Sequence, residues 1–241
     1  MLKLATRTLA FLFIFSPLLH AEDTAPLLGG SLLDVLEKGG TVMVIILIGS
    51  VIGLALGFER LVSLRRRTLC PPDLCAELEK AVKSHDWSNI ADDVGQRKGS
   101  LACIVAEGLK RIDHGAGEVE RTMEAVGGHE VARLKRPVRP IAILATVMPL
   151  LGLLGTILGM ITTFNLLGST SPAERVQMLA PGIGQALYTT AAGLCVSIPF
   201  VLLHHILVGR VNRAAERWSR LGSDIVLAIR EKGAAAAGAA A

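Results

Sequence analysis

A chain of 241 residues with 51% apolar and only 19% charged side chains, and a mean hydropathy of +0.51, is not composed like a soluble domain. Its formal net charge is +4, and aromatic residues make up only 4%. Arg and Lys cluster beside apolar runs and are not interleaved with aromatics, which argues against a nucleic-acid surface and for a bilayer.

At the start, residues 1–21 (MLKLATRTLAFLFIFSPLLHA) place Lys3 and Arg7 ahead of an apolar core from Leu9 to Leu19, broken by Pro17. That core is short for a membrane helix, so the segment reads as a signal peptide cut after Ala21. An uncleaved signal anchor, adding a fourth span, is the alternative. Residues 22–38 then form a short segment outside the membrane.

Three long apolar runs follow, and about 20 such residues suffice to cross a bilayer. Span one, residues 39–58 (GGTVMVIILIGSVIGLALGF), ends at Glu59-Arg60, with Arg65-Arg66-Arg67 beyond. Span two, residues 141–167, is preceded by Arg133, Lys135, Arg136 and Arg139. Residues 168–178 make a short loop, and span three, residues 179–209, is followed by Arg210, Arg213, Arg217 and Arg220. Each span has its basic cluster on one side only, so the positive-inside rule gives a single topology. The N-terminus lies outside and the C-terminus in the cytoplasm.

Between spans one and two, residues 59–140 form a cytoplasmic insertion in which Asp73–Lys83, Leu101–Ile112 and Glu118–Lys135 carry apolar residues at helical spacing. In the last, Val119, Met123, Val126, Val131 and Leu134 approximate one face, which Gly127-Gly128 weakens. Residues 210–232 read as a cytoplasmic C-terminal helix, and the GAAAAGAAA tail, residues 233–241, as disordered. The expected fold class is therefore an all-α integral membrane protein: three long transmembrane helices extending into the cytoplasm, plus a small helical insertion.

Little here suggests an enzyme. There is no nucleotide loop, nucleophile elbow or metal triad, so no catalytic residue, cofactor or metal is assigned. Cys70, Cys75, Cys103 and Cys195 include no C-x-x-C. Cys70 and Cys75, in CPPDLC, can pair, but reduced thiols are the stronger reading in cytoplasm. Pro149 and Pro199 lie inside spans, where packing adjustment is the commoner role, and Pro181 suits a helix first turn. Glu59-Arg60 reads as an interfacial ion pair, Tyr188 as a packing residue, and His204-His205 as interfacial.

Spans two and three carry stripes of small and hydroxyl residues. Gly152, Thr156, Gly159 and Thr163 share one helix face, as do Gly182, Ala186, Thr190, Gly193 and Ser197. Such stripes let backbones approach closely and let Thr bond across helices. From the stripes alone, tight packing is the better account; a narrow, weakly polar passage is the sharper one. No Asp, Glu, Lys or Arg lies within any span. Intramembrane carboxylates mark proton-driven machines, so if this chain works on protons, a second protein supplies the acid.

The stretches PLLGLLGTILGMITTF (Pro149–Phe164) and APGIGQALYTTAAGLCVSIPF (Ala180–Phe200), with ERLVSLRRR (Glu59–Arg67), resemble the MotA/TolQ/ExbB proton-channel family, nearest its ExbB and TolQ branches. The resemblance implies a pentamer in the inner membrane of a Gram-negative bacterium, with residues 22–38 and 168–178 periplasmic. An ExbD- or TolR-like single-span partner would supply the titrating Asp, and a TonB- or TolA-like protein would be energised. It also makes Thr156 and Thr190 pore-facing, with Gln185, Thr163 and Ser197 along the same path; Gly152, Gly159, Gly182, Ala186 and Gly193 would pack helices. One departure stands out: Gln185 occupies the position where the ExbB branch has a glutamate, and an amide does not titrate. The longer N-terminus tips the reading toward the TonB branch, against a TolQ-like envelope-maintenance subunit or a non-conducting scaffold.

Overall fold

A computed structural model describes residues 32–65, 69–84, 87–167 and 172–239, so the expected signal peptide and most of the segment after it lie outside the described residues. All regular structure among the described residues is helical. α1 is Leu32–Ser63, α2 Pro72–Ser84, α3 Ser88–Gln96, α4 Ser100–Leu109, α5 Ala116–Lys135, α6 Arg139–Leu167 and α7 Pro172–Ala239. Single 3-10 turns at Ile112–His114 and Arg136–Val138 flank α5. Three helical stretches, Gly39–Ser63, Ala116–Asn165 and Gly182–Gly233, are long and apolar enough to cross a membrane. The chain is an all-α membrane protein.

Two compact units share these helices: residues up to Val51 with Thr146–Ile198, and Ile52–Ala145 with Pro199–Ala241. In the first, α1 breaks once, at Gly40, whose φ of 63° and ψ of −164° are open essentially to glycine alone. α6 runs unbroken through Pro149. α7 begins at Pro172, inside the segment expected to be loop. Proline suits a helix's first turn, where its missing N–H has no intrahelical partner to lose.

The second unit holds the insertion between the first two spans. α2 and α5 cover the expected segments, and α5 passes through Gly127-Gly128 unbroken. α3 was not expected: SNIADDVGQ has few apolar residues, and only Val94 among its described side chains is fully buried. α4 is apolar nearly all round, with Leu101, Ala102, Ile104, Val105 and Leu109 buried, as a central helix must be. It packs on α5 so closely that a Cβ on Gly108 would lie 2.5 Å from Met123 Cγ. Along α7, Leu207, Val211, Ala214, Trp218 and Ile225 are buried at heptad-like spacing.

Polar contacts tie this unit together. The Trp218 indole N–H donates to the Leu69 carbonyl at 3.1 Å, and Arg210 donates to the Leu61 carbonyl at 3.1 Å. Arg97 bridges Glu77 at 2.8 Å and Asp93 at 2.6 Å, and the Glu77 hydrogen bond foremost holds its guanidinium above the usual range. Glu59 pairs with Arg60 at 2.7 Å, as the sequence suggested. Cys70 and Cys75 are free thiols with sulfurs 2.9 Å apart. Burial, then the neighbouring Cys70, pushes the Cys75 thiol up to about 12. α7 continues through Ala239, where disorder was expected, because alanine is the strongest helix former and the tail is mostly alanine.

Candidate functional site: a threonine pair between close-packed helices

In the first unit α6 and α7 run antiparallel, so close that several glycines leave no room for a methyl group. A Cβ on Gly193 would stand 2.6 Å from the Met148 carbonyl oxygen and 3.1 Å from the Gly152 Cα. On Gly152 it would stand 2.9 Å from the Thr189 carbonyl oxygen and 3.1 Å from the Thr190 Cα. Further along, Gly155 faces Thr189, Gly159 faces Ala186, and a Cβ on Gly182 would overlap Thr163. Each pair steps one way along α6 and the other along α7. The stripes read from the sequence are therefore the contact surfaces of one helix pair.

The close approach lets hydroxyls meet carbonyls across the interface. The hydroxyls of Thr156 and Thr190 are in direct hydrogen-bond contact. Thr156 Oγ1 lies 3.2 Å from the Gly152 carbonyl oxygen and 3.3 Å from that of Ala186. Thr190 Oγ1 is 3.2 Å from the same Gly152 oxygen. Thr189 lies 2.8 Å from the Ala186 oxygen and 3.4 Å from that of Gly152. Thr163 donates within its own helix to the Gly159 carbonyl at 2.7 Å.

Thr156 and Thr190 come together, both half-buried. Gly152, Gly159, Gly182, Ala186 and Gly193 all lie on the contact. Thr163 and Ser197 are buried. Gln185 lies beside α1: its Nε2 is 2.5 Å from where a Cβ on Gly40 would stand. Thr189, 1% exposed, is a partner that the sequence reading missed. Its signal was the tandem threonine in YTT, of which the stripe spacing selected only the second. In the second unit, His204 and His205 have ring centroids 5.5 Å apart, edge to face, and His205 Nδ1 lies 2.8 Å from the Val201 carbonyl oxygen. Among the described residues no cluster of His, Cys, Asp or Glu could hold a metal.

The sequence model of the MotA/TolQ/ExbB proton channel family matches residues 96–220, which takes in this helix pair. The chain belongs to that family. Its relatives include an ExbB-like biopolymer transport protein, ExbB-like 1, of Synechocystis sp., 34% identical over 83% of this chain and 80% of that protein. The Tol-Pal system protein TolQ of Haemophilus influenzae is 38% identical over 43% of this chain and 47% of its own length. The biopolymer transport protein ExbB of Pseudomonas putida is 26% identical over 74% of this chain and 54% of its own length. This MotA/TolQ/ExbB member thus spans about half the length of the latter two. Its threonine pair lies within the family match, between spans that hold no ionisable acid or base of the Asp, Glu, Lys or Arg type.

Proposed function

We propose that this chain is an ExbB-like, non-enzymatic subunit of an inner-membrane proton-channel motor. It assembles as a pentamer, N-terminus periplasmic and C-terminus cytoplasmic, in a Gram-negative envelope. An ExbD-like single-span partner brings the titrating Asp, and proton flow past it energises a TonB-like protein for outer-membrane transport. The observation that carries this reading is the contact of the Thr156 and Thr190 hydroxyls, fixed by glycines that cannot take a side chain, in spans without a carboxylate of their own. A hydroxyl donates and accepts at once, so it can hydrogen-bond a partner carboxyl in either protonation state. TolQ-like resemblance supports a second reading, an envelope-maintenance motor with a TolR-like partner.

Thr156→Val and Thr190→Val remove the hydroxyl at nearly constant shape. Copurified with the single-span partner and reconstituted with an internal pH dye, either variant should assemble but conduct protons at a small fraction of the parent rate. Undiminished flux with intact assembly would leave a scaffold as the better reading. Native mass spectrometry of the same sample reads the subunit number and whether the partner is captured.

A further inference from the structure

The Gln185 side chain of α7 lies beside the Gly40 break of α1. Its Nε2 occupies the space that a side chain on residue 40 would need, 2.5 Å from the Cβ position. Residue 40 is glycine, and its backbone (φ 63°, ψ −164°) lies in a region that side-chain-bearing residues essentially do not enter. It is also the one residue of α1 with non-helical backbone angles, at the start of that helix's membrane-length stretch, Gly39–Ser63. Two independent features therefore coincide: a break in α1 that only glycine allows, and a polar side chain from α7 seated in the notch beside it. Gln185 precedes Thr189 by one helical turn, and Ala186, its neighbour, is fully buried against Gly159 of α6. The Gln185 side chain thus lies between the Gly40 break of α1 and the part of α7 whose rotation sets where Thr189 and Thr190 point.

We propose that Gln185 is a positioning residue: its amide, seated at the Gly40 break, locks α1 to the α6–α7 pair and so holds the Thr156–Thr190 contact in register, without itself carrying protons. This rests on the proton-path reading above. The amide has donors and an acceptor for backbone groups that the break releases from the helix ladder, but nothing that titrates.

The test uses the full chain copurified with its single-span partner and reconstituted in liposomes with an internal pH dye. Flux is measured against pH for parent, Thr156→Val, Gln185→Ala, Gly40→Ala and the Gly40→Ala/Gln185→Ala double variant. The expected result has four parts: Gln185→Ala lowers flux several-fold, the pH midpoint of the remaining flux stays put, its assembly unfolds at lower temperature, and the double variant conducts no worse than Gly40→Ala alone. Multiplying losses in the double variant, or a shifted pH midpoint in Gln185→Ala, would overturn the proposal. Should Gly40→Ala not accumulate, Gln185→Ala decides by itself: loss of flux with an unchanged unfolding temperature overturns the positioning role. Thr156→Val separates the two levels. If it conducts normally, the proton-path reading has failed; if it is impaired while Gln185→Ala behaves as parent, only the positioning role has.

Discussion

Replacing Gly193 by alanine adds one methyl group where the α6–α7 contact is tightest against backbone. That methyl would stand 2.6 Å from the Met148 carbonyl oxygen, whereas ordinary contact begins at about 3.4 Å. The obstacle is backbone on both sides, with the Gly152 Cα at 3.1 Å and its nitrogen at 3.2 Å, so no side chain can swing aside. The helices must part by about 0.8 Å locally. The Thr190 hydroxyl, 3.2 Å from the Gly152 oxygen, would then be carried beyond hydrogen-bonding range, and the Thr189 contact at 3.4 Å would be lost first. Overpacking of this kind costs about 1–3 kcal/mol, and interhelical hydrogen bonds in bilayers contribute about 0.6 kcal/mol each. Set against the roughly 1 kcal/mol by which a helix favours alanine over glycine, Gly193→Ala should therefore lower stability by roughly 1–3 kcal/mol, read as a shifted midpoint in SDS-titrated unfolding followed by circular dichroism. Gly184, in the same helix, is the internal control, since a Cβ there would meet nothing within 4 Å. Gly184→Ala should be neutral or slightly stabilising, because alanine is favoured over glycine in helices by about 1 kcal/mol. Equal midpoints for the two variants would refute the steric argument.

Three further outcomes follow from the same contacts. Thr156→Val should leave the unfolding midpoint within about 1 kcal/mol of the parent, because single interhelical hydrogen bonds in membranes are weak, so its effect shows in proton flux rather than stability. Trp218→Phe removes the indole donor that reaches the buried Leu69 carbonyl at 3.1 Å, and should cost about 1–3 kcal/mol in the same unfolding titration. With its thiol pushed up to about 12 by burial and by Cys70, Cys75 should alkylate slowly in native protein near neutral pH, while exposed Cys103 reacts early; peptide mass spectrometry after timed iodoacetamide treatment reads the order. The same shift has a sign in stability: the folded state favours the protonated thiol, so its contribution holds at lower pH and is lost as pH rises toward 12.

The membrane spans were legible because a bilayer imposes length and apolarity on uninterrupted segments, and both survive in composition. The α6–α7 contact was legible for a related reason. Helices approach this closely only where side chains are small, so Gly152, Gly159, Gly182, Ala186 and Gly193 record the contact in residue type. Thr189 escaped because a single-period stripe cannot use both members of a tandem pair, although a helix edge can. The seat of Gln185 was hidden more deeply. Nothing in the spacing of residues 40 and 185 links them, and a Gly-Gly pair at the start of an apolar run is equally consistent with an unbroken helix. Polar α3 was unreadable by apolar periodicity, since only Val94 among its described side chains is fully buried. The alanine tail misled in the opposite direction: low complexity was read as disorder, where propensity alone favours helix.

The Gly152 carbonyl oxygen is over-subscribed. It offers two lone pairs, yet the hydroxyls of Thr156, Thr189 and Thr190 all stand within 3.4 Å of it. Two of the three have the Ala186 oxygen as an alternative, and two have each other. Several placements of the same hydrogens are therefore nearly degenerate, and passing between them needs only torsion about C–O bonds, with every heavy atom still. The cluster is rigid in its scaffold and undecided in its polarity, so a group arriving at its edge can be met by a donor or by an acceptor without any helix having to move.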